Sequence, residues 1–368
     1  MLEFLNRRKW IIIAGTTFGI LGALLVNWGN PGNMGVCVAC FYRDIAGALN
    51  LHQAEVVQYL RPEIFGFLFG AMISAFAFGE WRPRGGSSPL IRFFLAAFAM
   101  IGALVFLGCP VRMLLRLAGG DLNAVTAIAG LLVGIGVGVF FLKRGFTLGR
   151  ATKVHPLQGL MIPVLFLGLL VFVIIEITMG TDVITTSESG PGSMFAPLAV
   201  SLIIGMVIGF LFQRSRMCTV GGWRDLILIR DTHLFTGIFL VIVVSLITNY
   251  IVGNFAEGTL VGKDIVYQWG FADQPVSHND HLWNFLGMAL AGMAFVMGGA
   301  CPLRQTVLAG EGDADAGIWI LGLIAGAAVA HNFSIASTPA GHAVWGPAAV
   351  IIGLVFCVII GFTMQSKA

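Results

Sequence analysis

Ten apolar blocks separated by short polar connections divide the chain: Trp10–Trp28, Pro62–Phe78, Ile91–Leu107, Leu122–Leu142, Leu157–Met179, Ala196–Phe212, Leu234–Gly253, Leu282–Gly299, Ala316–Phe333 and Val344–Met364. A helix needs about 20 largely apolar residues to cross roughly 30 Å of hydrocarbon, and each block comes close to that length. The pattern predicts an all-α polytopic membrane protein with about ten transmembrane helices. The first block follows Arg7-Arg8-Lys9 as the core of a secretory leader would, but no small-x-small cleavage site comes after it, so it is read as a retained span. Gly180–Phe195 and Asn254–His281 contain acids and turn residues without a membrane-length run and are expected to be external loops. No connection is long enough for a separate soluble catalytic domain.

Composition agrees with a lipid environment. The 368 residues are 57% hydrophobic and only 11% charged, too few charged side chains to cover the surface of a soluble protein of this size. A formal charge of +3, with its basic residues scattered, excludes a nucleic-acid face. The distribution of those residues is more informative. With both chain ends on one side, sixteen Lys and Arg fall on that side and five (Arg43, Arg61, Arg112, Arg116 and Lys263) on the other, as expected for cytoplasmic termini.

Two signatures occur twice. Cys37-Val-Ala-Cys-Phe-Tyr-Arg43-Asp44 is matched by Cys218-Thr-Val-Gly-Gly-Trp-Arg224-Asp225, and Gly108-Cys109-Pro110-Val111-Arg112 with Gly120-Asp121 is matched by Ala300-Cys301-Pro302-Leu303-Arg304 with Gly312-Asp313. The spacing predicts an internal duplication. Residues 1–180 form the first half, 181–195 an external connecting loop and 196–368 the second half. Each half holds about five spans, and an odd number makes the second enter the membrane from the opposite side, giving an inverted-topology repeat.

The motif segments are too short to cross and too apolar for simple loops, so re-entrant half-helices are expected. Pro110 and Pro302 suit a first helical position, which puts Cys109 and Cys301 at or just before a helix start, where N–H groups and the helix dipole favour an anion. Irregular backbone at that depth is tolerated only beside protein or a water-filled cavity, so a central pathway is implied. Cys37, Cys109, Cys218 and Cys301 are therefore candidate functional thiols. Cys40 makes Cys37-x-x-Cys40, a possible dithiol, with Gly221 in its place in the second copy. Cys357 has no partner in the pattern and is expected in the core. Arg43 and Arg224 adjoin Asp44 and Asp225 and are expected to lock their segments. For Arg112 and Arg304 two roles stay open: pairing with an acid such as Asp121 or Asp313, or attracting an anion. Met34, Met113 and Met217 are taken as core filler, and Glu63 and Glu176 show no evident partner. Gly130-x3-Gly134, Gly287 with Gly292, and Gly322-x3-Gly326 are read as helix-packing positions. The histidines form no spacing suited to a metal, and neither a metal nor another cofactor is expected.

The motifs Gly32-Asn-Met-Gly-Val-Cys37-Val-Ala-Cys40-Phe-Tyr-Arg-Asp44, Arg82-Pro-Arg-Gly-Gly-Ser-Ser88, Gly108-Cys-Pro-Val-Arg-Met-Leu-Leu-Arg-Leu-Ala-Gly-Gly-Asp-Leu-Asn123 and Ala300-Cys-Pro-Leu-Arg-Gln305 resemble the YeeE/YedE family of bacterial inner-membrane sulfur transporters, and more closely its selenium-metabolism branch. The resemblance implies an hourglass-shaped transporter, not an enzyme, that imports a small sulfur or selenium species such as a thiosulfate-like anion by S–H···S hydrogen bonds between central cysteines. It makes Cys37, Cys109 and Cys301 the relay, with Cys218 as the symmetry mate of Cys37. The expected partners are the solute, the lipid bilayer and a cytoplasmic sulfur- or selenium-carrier protein. Thiols are weak donors and sulfur or selenium weak acceptors, which suits a soft anion that must also leave. The alternatives are a membrane thiol-disulfide oxidoreductase using Cys37 and Cys40, and a carrier of a soft metal such as Cu(I).

Overall fold

A computed structural model describes residues 2–180, 184–255 and 267–366; Lys263, Lys367 and residues 181–183 of the connecting loop lie outside the described residues. The described chain is a multi-pass, nearly all-helical membrane protein of fourteen α-helices. Ten are long: α1 (Leu2–Asn27), α3 (Pro62–Ala77), α4 (Pro89–Phe106), α6 (Asn123–Lys143), α7 (Pro156–Met179), α8 (Leu198–Ser215), α10 (His233–Ile251), α11 (His281–Gly298), α13 (Ala314–Asn332) and α14 (Gly346–Thr363). Four are short: α2 (Val38–Ala48), α5 (Pro110–Ala118), α9 (Thr219–Ile229) and α12 (Pro302–Gly310). Nine stretches of the described residues are long and apolar enough to cross a membrane. The remaining block, Pro62–Phe78, forms α3, whose 16 residues fall short of that length because the chain stays extended through Arg61 and the helix starts only at Pro62.

Helix packing pairs the two parts of the chain. Helix α3 lies along α8 as α1 lies along α10, and α6 lies along α11 as α13 lies along α4; α1 also meets α8, and α4 meets α11. Two of these contacts are close because glycines line them. A Cβ at Gly130 or Gly134 of α6 would overlap the carbonyl oxygen of Phe285 or Ala289 of α11, and one at Gly70 of α3 would overlap that of Met206 of α8. Without a hydrophobic drive between helices in lipid, such backbone approach supplies the dispersion contact that holds them.

The connections gather on two faces. On the first, Gln58 meets Ser187, Leu51 meets Asn332 and Asn33 meets Tyr267. On the second, Arg8 bonds Thr232, Arg82 bonds Glu311, and Ser366 bonds Gly145. A two-stranded ribbon there pairs β1 (Arg84–Gly85) with β2 (Thr152–Lys153). The motif at residues 82–88 thereby brings Gly86, Ser87 and Arg84 onto Asp315 and Asp313 at the start of α13.

Candidate functional site

Each short helix begins at the residue after a cysteine: Cys37, Cys109, Cys218 and Cys301 are the N-caps of α2, α5, α9 and α12. Two mechanisms place them. Cys37 Sγ accepts the backbone N–H of Cys40 at 3.3 Å and Cys218 Sγ that of Gly221 at 3.2 Å, as an Asn or Ser cap would. Cys109 and Cys301 precede Pro110 and Pro302, which take the first helical position, where a missing N–H costs nothing.

Helices α5 and α12 continue α4 and α11 across three-residue breaks, at Leu107–Cys109 and Gly299–Cys301. Leu107 (φ 61°) and its counterpart Gly299 (φ 99°) both turn left-handed, a conformation that costs a side chain about 1–2 kcal/mol and glycine little. The breaks free carbonyls that lipid cannot satisfy, so cationic and amide side chains do so. Arg112 Nη1 donates to Leu107 O; Arg92 Nη1 and Gln305 Nε2 donate to Gly298 O at 2.9 and 3.1 Å, and Arg224 Nη1 to Gly299 O at 3.3 Å.

The sulfurs form two clusters. In the first, the Cys37 and Cys40 sulfurs are 2.8 Å apart, and the Cys37 thiol shares a hydrogen bond with Cys109, which also receives the Ala39 N–H. In the second, the thiols of Cys218 and Cys301 share a hydrogen bond, and the Cys301 N–H donates to Cys218 Sγ at 3.4 Å. A hydrogen bond of 2.7 Å between Tyr42 of α2 and Thr306 of α12 joins the helices that carry the two clusters. All five sulfurs belong to buried residues no more than 5% exposed. Cys357 is buried by itself in α14, away from both clusters.

The charged residues divide differently from the sequence expectation. Arg43 bonds Asp44 at 2.6 Å and Arg224 bonds Asp225 at 2.8 Å, the two adjacent pairs. Asp121, however, is held by Arg116 at 2.7 Å and not by Arg112, because Arg116 lies one turn further along α5 and closer to the helix end. Asp313 is held by Arg84 at 2.7 Å and not by Arg304, which reaches Glu311 at 3.0 Å instead. Among the described residues Arg112 bonds carbonyls and sulfur: Asn33 O at 3.0 Å, Leu107 O, Val276 O at 2.8 Å and Cys40 Sγ at 3.5 Å. Sequence reading missed Arg61, which is fully buried, donates to Asp44 at 2.7 Å and also binds the carbonyls of Pro191 and Met194. Its position directly before Pro62, at a helix start, was the available signal. Glu63 does have partners: its Oε1 accepts from Asn30 at 2.8 Å and Ser201 at 3.1 Å.

On the second face a cavity of about 240 Å³ is lined by Ser87, Arg92, Gly298, Gly299, Gln305 and Asp315, so it touches the break that precedes Cys301. On the first face a cavity of about 230 Å³ is lined by Tyr59, Leu60, Glu176 and Phe195. Among the described residues no three His, Cys, Asp or Glu side chains are arranged to hold a metal ion.

Thiols at interrupted helices invite comparison with known proteins. Thiosulfate transporter TsuA of Escherichia coli (strain K12) is 29% identical over 122 residues, which are 32% of this chain and 30% of that protein's length, so the likeness spans about a third of either chain. Residues 214–363, from the end of α8 through α14 and including Cys218 and Cys301, match the sulphur transport family.

Proposed function

We propose that this protein is a transporter, not an enzyme, that carries a small sulfur or selenium anion across a membrane by passing it between the two thiol clusters. The observation that carries this reading is the placing of four cysteines at the starts of four short helices inside the membrane body, gathered into two buried clusters. The likeness to a thiosulfate transporter and to the sulphur transport family supports a sulfur anion as cargo. Helix N-termini favour negative charge, and thiols hold a soft chalcogen weakly enough for it to leave. The reciprocal pairing of α3 with α8 and α1 with α10 supports the duplication into halves 1–180 and 196–368, and the excess of Lys and Arg on the face of Arg8 and Ser366 supports cytoplasmic termini in a bacterial inner membrane. Import, selenium as cargo and a cytoplasmic carrier protein as receiver extend the same proposal through the motif resemblance.

Uptake of thiosulfate by cells expressing the intact chain, compared with Cys109→Ala and Cys301→Ala, tests the relay: each substitution is expected to abolish most uptake, and unchanged uptake in both refutes it. Binding of thiosulfate, selenosulfate and selenite to the purified protein assigns the cargo. A second reading, a thiol-disulfide oxidoreductase, is favoured by the 2.8 Å approach of the Cys37 and Cys40 sulfurs. It predicts that Cys40→Ala abolishes function while Cys218→Ala does not.

A further inference from the structure

The two clusters differ in charge. Arg112 is fully buried beside the first, and none of its guanidinium contacts is a carboxylate; no acidic side chain of the described residues lies within ion-pair distance of it. Its neighbours do not offset it. Arg43 and Arg61 share the single carboxylate of Asp44, and Arg116 takes Asp121. At the second cluster the corresponding Arg304 does reach a carboxylate, Glu311 at 3.0 Å, which it shares with Arg216 at 2.8 Å and Arg84 at 3.5 Å. The difference is written in the sequence: seven residues after Arg304 stands Glu311, and seven after Arg112 stands Gly119.

A buried charge with no counter-ion is costly, and carbonyl dipoles offset only part of that cost. An anion placed beside it relieves the remainder. From this geometry, and resting on the transport reading above, we infer that Arg112 is the residue that selects for negative charge: it draws a small anion bearing a terminal sulfur or selenium onto the Cys37, Cys40 and Cys109 thiols, while Arg304, already paired with a carboxylate, leaves the second cluster as the weaker, releasing site. The guanidinium lies 3.5 Å from Cys40 Sγ, so charge and soft donors converge on one position. Discrimination then has two parts, in which the thiols recognise the chalcogen and Arg112 the charge.

The test uses the full chain in proteoliposomes and two methanethiosulfonate reagents alike in size, one carrying a sulfonate and one a quaternary ammonium, with the modified cysteines identified by mass spectrometry. In the wild type the anionic reagent is expected to react faster at the first cluster. Arg112→Gln is expected to lower the anionic-to-cationic rate ratio about tenfold, Arg112→Lys to keep it, and Arg304→Gln to leave the ratio at Cys218 and Cys301 within about twofold. An unchanged ratio in Arg112→Gln, or failure of lysine to preserve it, overturns the inference, the latter by showing that Arg112 serves only to bind carbonyls. If neither reagent reaches any of these thiols in the wild type, no solute route leads to them, and this inference falls together with the transport reading. A ratio that shifts as expected in a protein that takes up no thiosulfate leaves the charge role standing and removes only that cargo.

Discussion

Helices α2 and α9 carry the same motif, a cysteine cap followed by an Arg-Asp pair, yet they are held in opposite ways. Every residue of α2 is buried, and its Arg43 and Asp44 are joined by Arg61 into a group no more than 2% exposed. In α9 only Thr219–Gly222 are buried, and the Arg224–Asp225 pair stands 27% and 20% exposed. The difference teaches that the motif sets the cap and the adjacent ion pair, whereas burial is conferred by what crosses above. Over α2 lie the connection from Leu49 to Arg61 and the segment from Thr185 to Met194, bonded to it through Arg61, Gln58 and Thr185 and to each other through Arg61 and Gln58. At α9 the corresponding connection runs only from Arg230 to Thr232.

The contrast is broken most severely at Arg61. Arg61→Ala leaves the Asp44 carboxylate with Arg43 alone in a dry site, and an expected loss of about 3–5 kcal/mol, seen as a lower unfolding temperature in detergent, follows from stranding part of a buried ionic group. At α9, where among the described residues no such third residue joins the pair, Arg224→Ala is expected to cost under about 1 kcal/mol, as exposed pairs do. Equal losses at the two positions would contradict the difference in burial.

Chemistry sharpens the same comparison. Mild oxidation is expected to join Cys37 to Cys40 within α2, because their sulfurs already touch, and Cys40→Gly is expected to abolish that adduct in a peptide mass map while leaving the fold intact. The α9 helix has Gly221 at the equivalent position and yields no such adduct. Recovery of the α2 disulfide in no fraction of the oxidised protein would show that the two thiols do not approach each other.

The smallest effect lies on the second face, at the approach to α9. A hydrogen bond from Gln213, aided by the charges of Arg214 and Arg216, holds the Glu80 carboxyl below the usual glutamate range. A lowered carboxyl stabilises the fold above its ordinary value, and that contribution is lost as pH falls through the lowered one. Glu80→Gln is therefore expected to flatten the stability profile only on the acid side, below the ordinary glutamate range. Because the group is part-exposed, the effect should shrink as salt is raised, whereas the Arg61 effect should persist. A salt-insensitive Glu80 contribution would place it in a drier setting than its exposure allows.

Much of this was legible in the chain itself. Span positions, the caps Cys109 and Cys301 and the glycine contacts followed from block length, from proline after cysteine and from four-residue glycine spacing, and Cys37 and Cys218 were marked by the repeated motif, all of which are local or periodic properties. The adjacent pairs Arg43–Asp44 and Arg224–Asp225 were legible for the same reason. The partners of Asp121 and Asp313 were not: spacing offered Arg112 and Arg304, but reach and the fold's second face supplied Arg116 and Arg84. Glu63, which had no visible partner, finds Asn30 and Ser201 from distant segments.

The sequence by itself determined a membrane protein of long helices with cysteines at the starts of short ones, because apolar length and capping act within a few turns of chain. Tertiary structure alone decided which thiols meet, grouping Cys37 and Cys40 with Cys109, and Cys218 with Cys301, and which arginine is left without a carboxylate partner among the described residues. Those outcomes depend on contacts between segments as far apart as Asn33, Arg112 and Val276, whose meeting is set by how the helices pack.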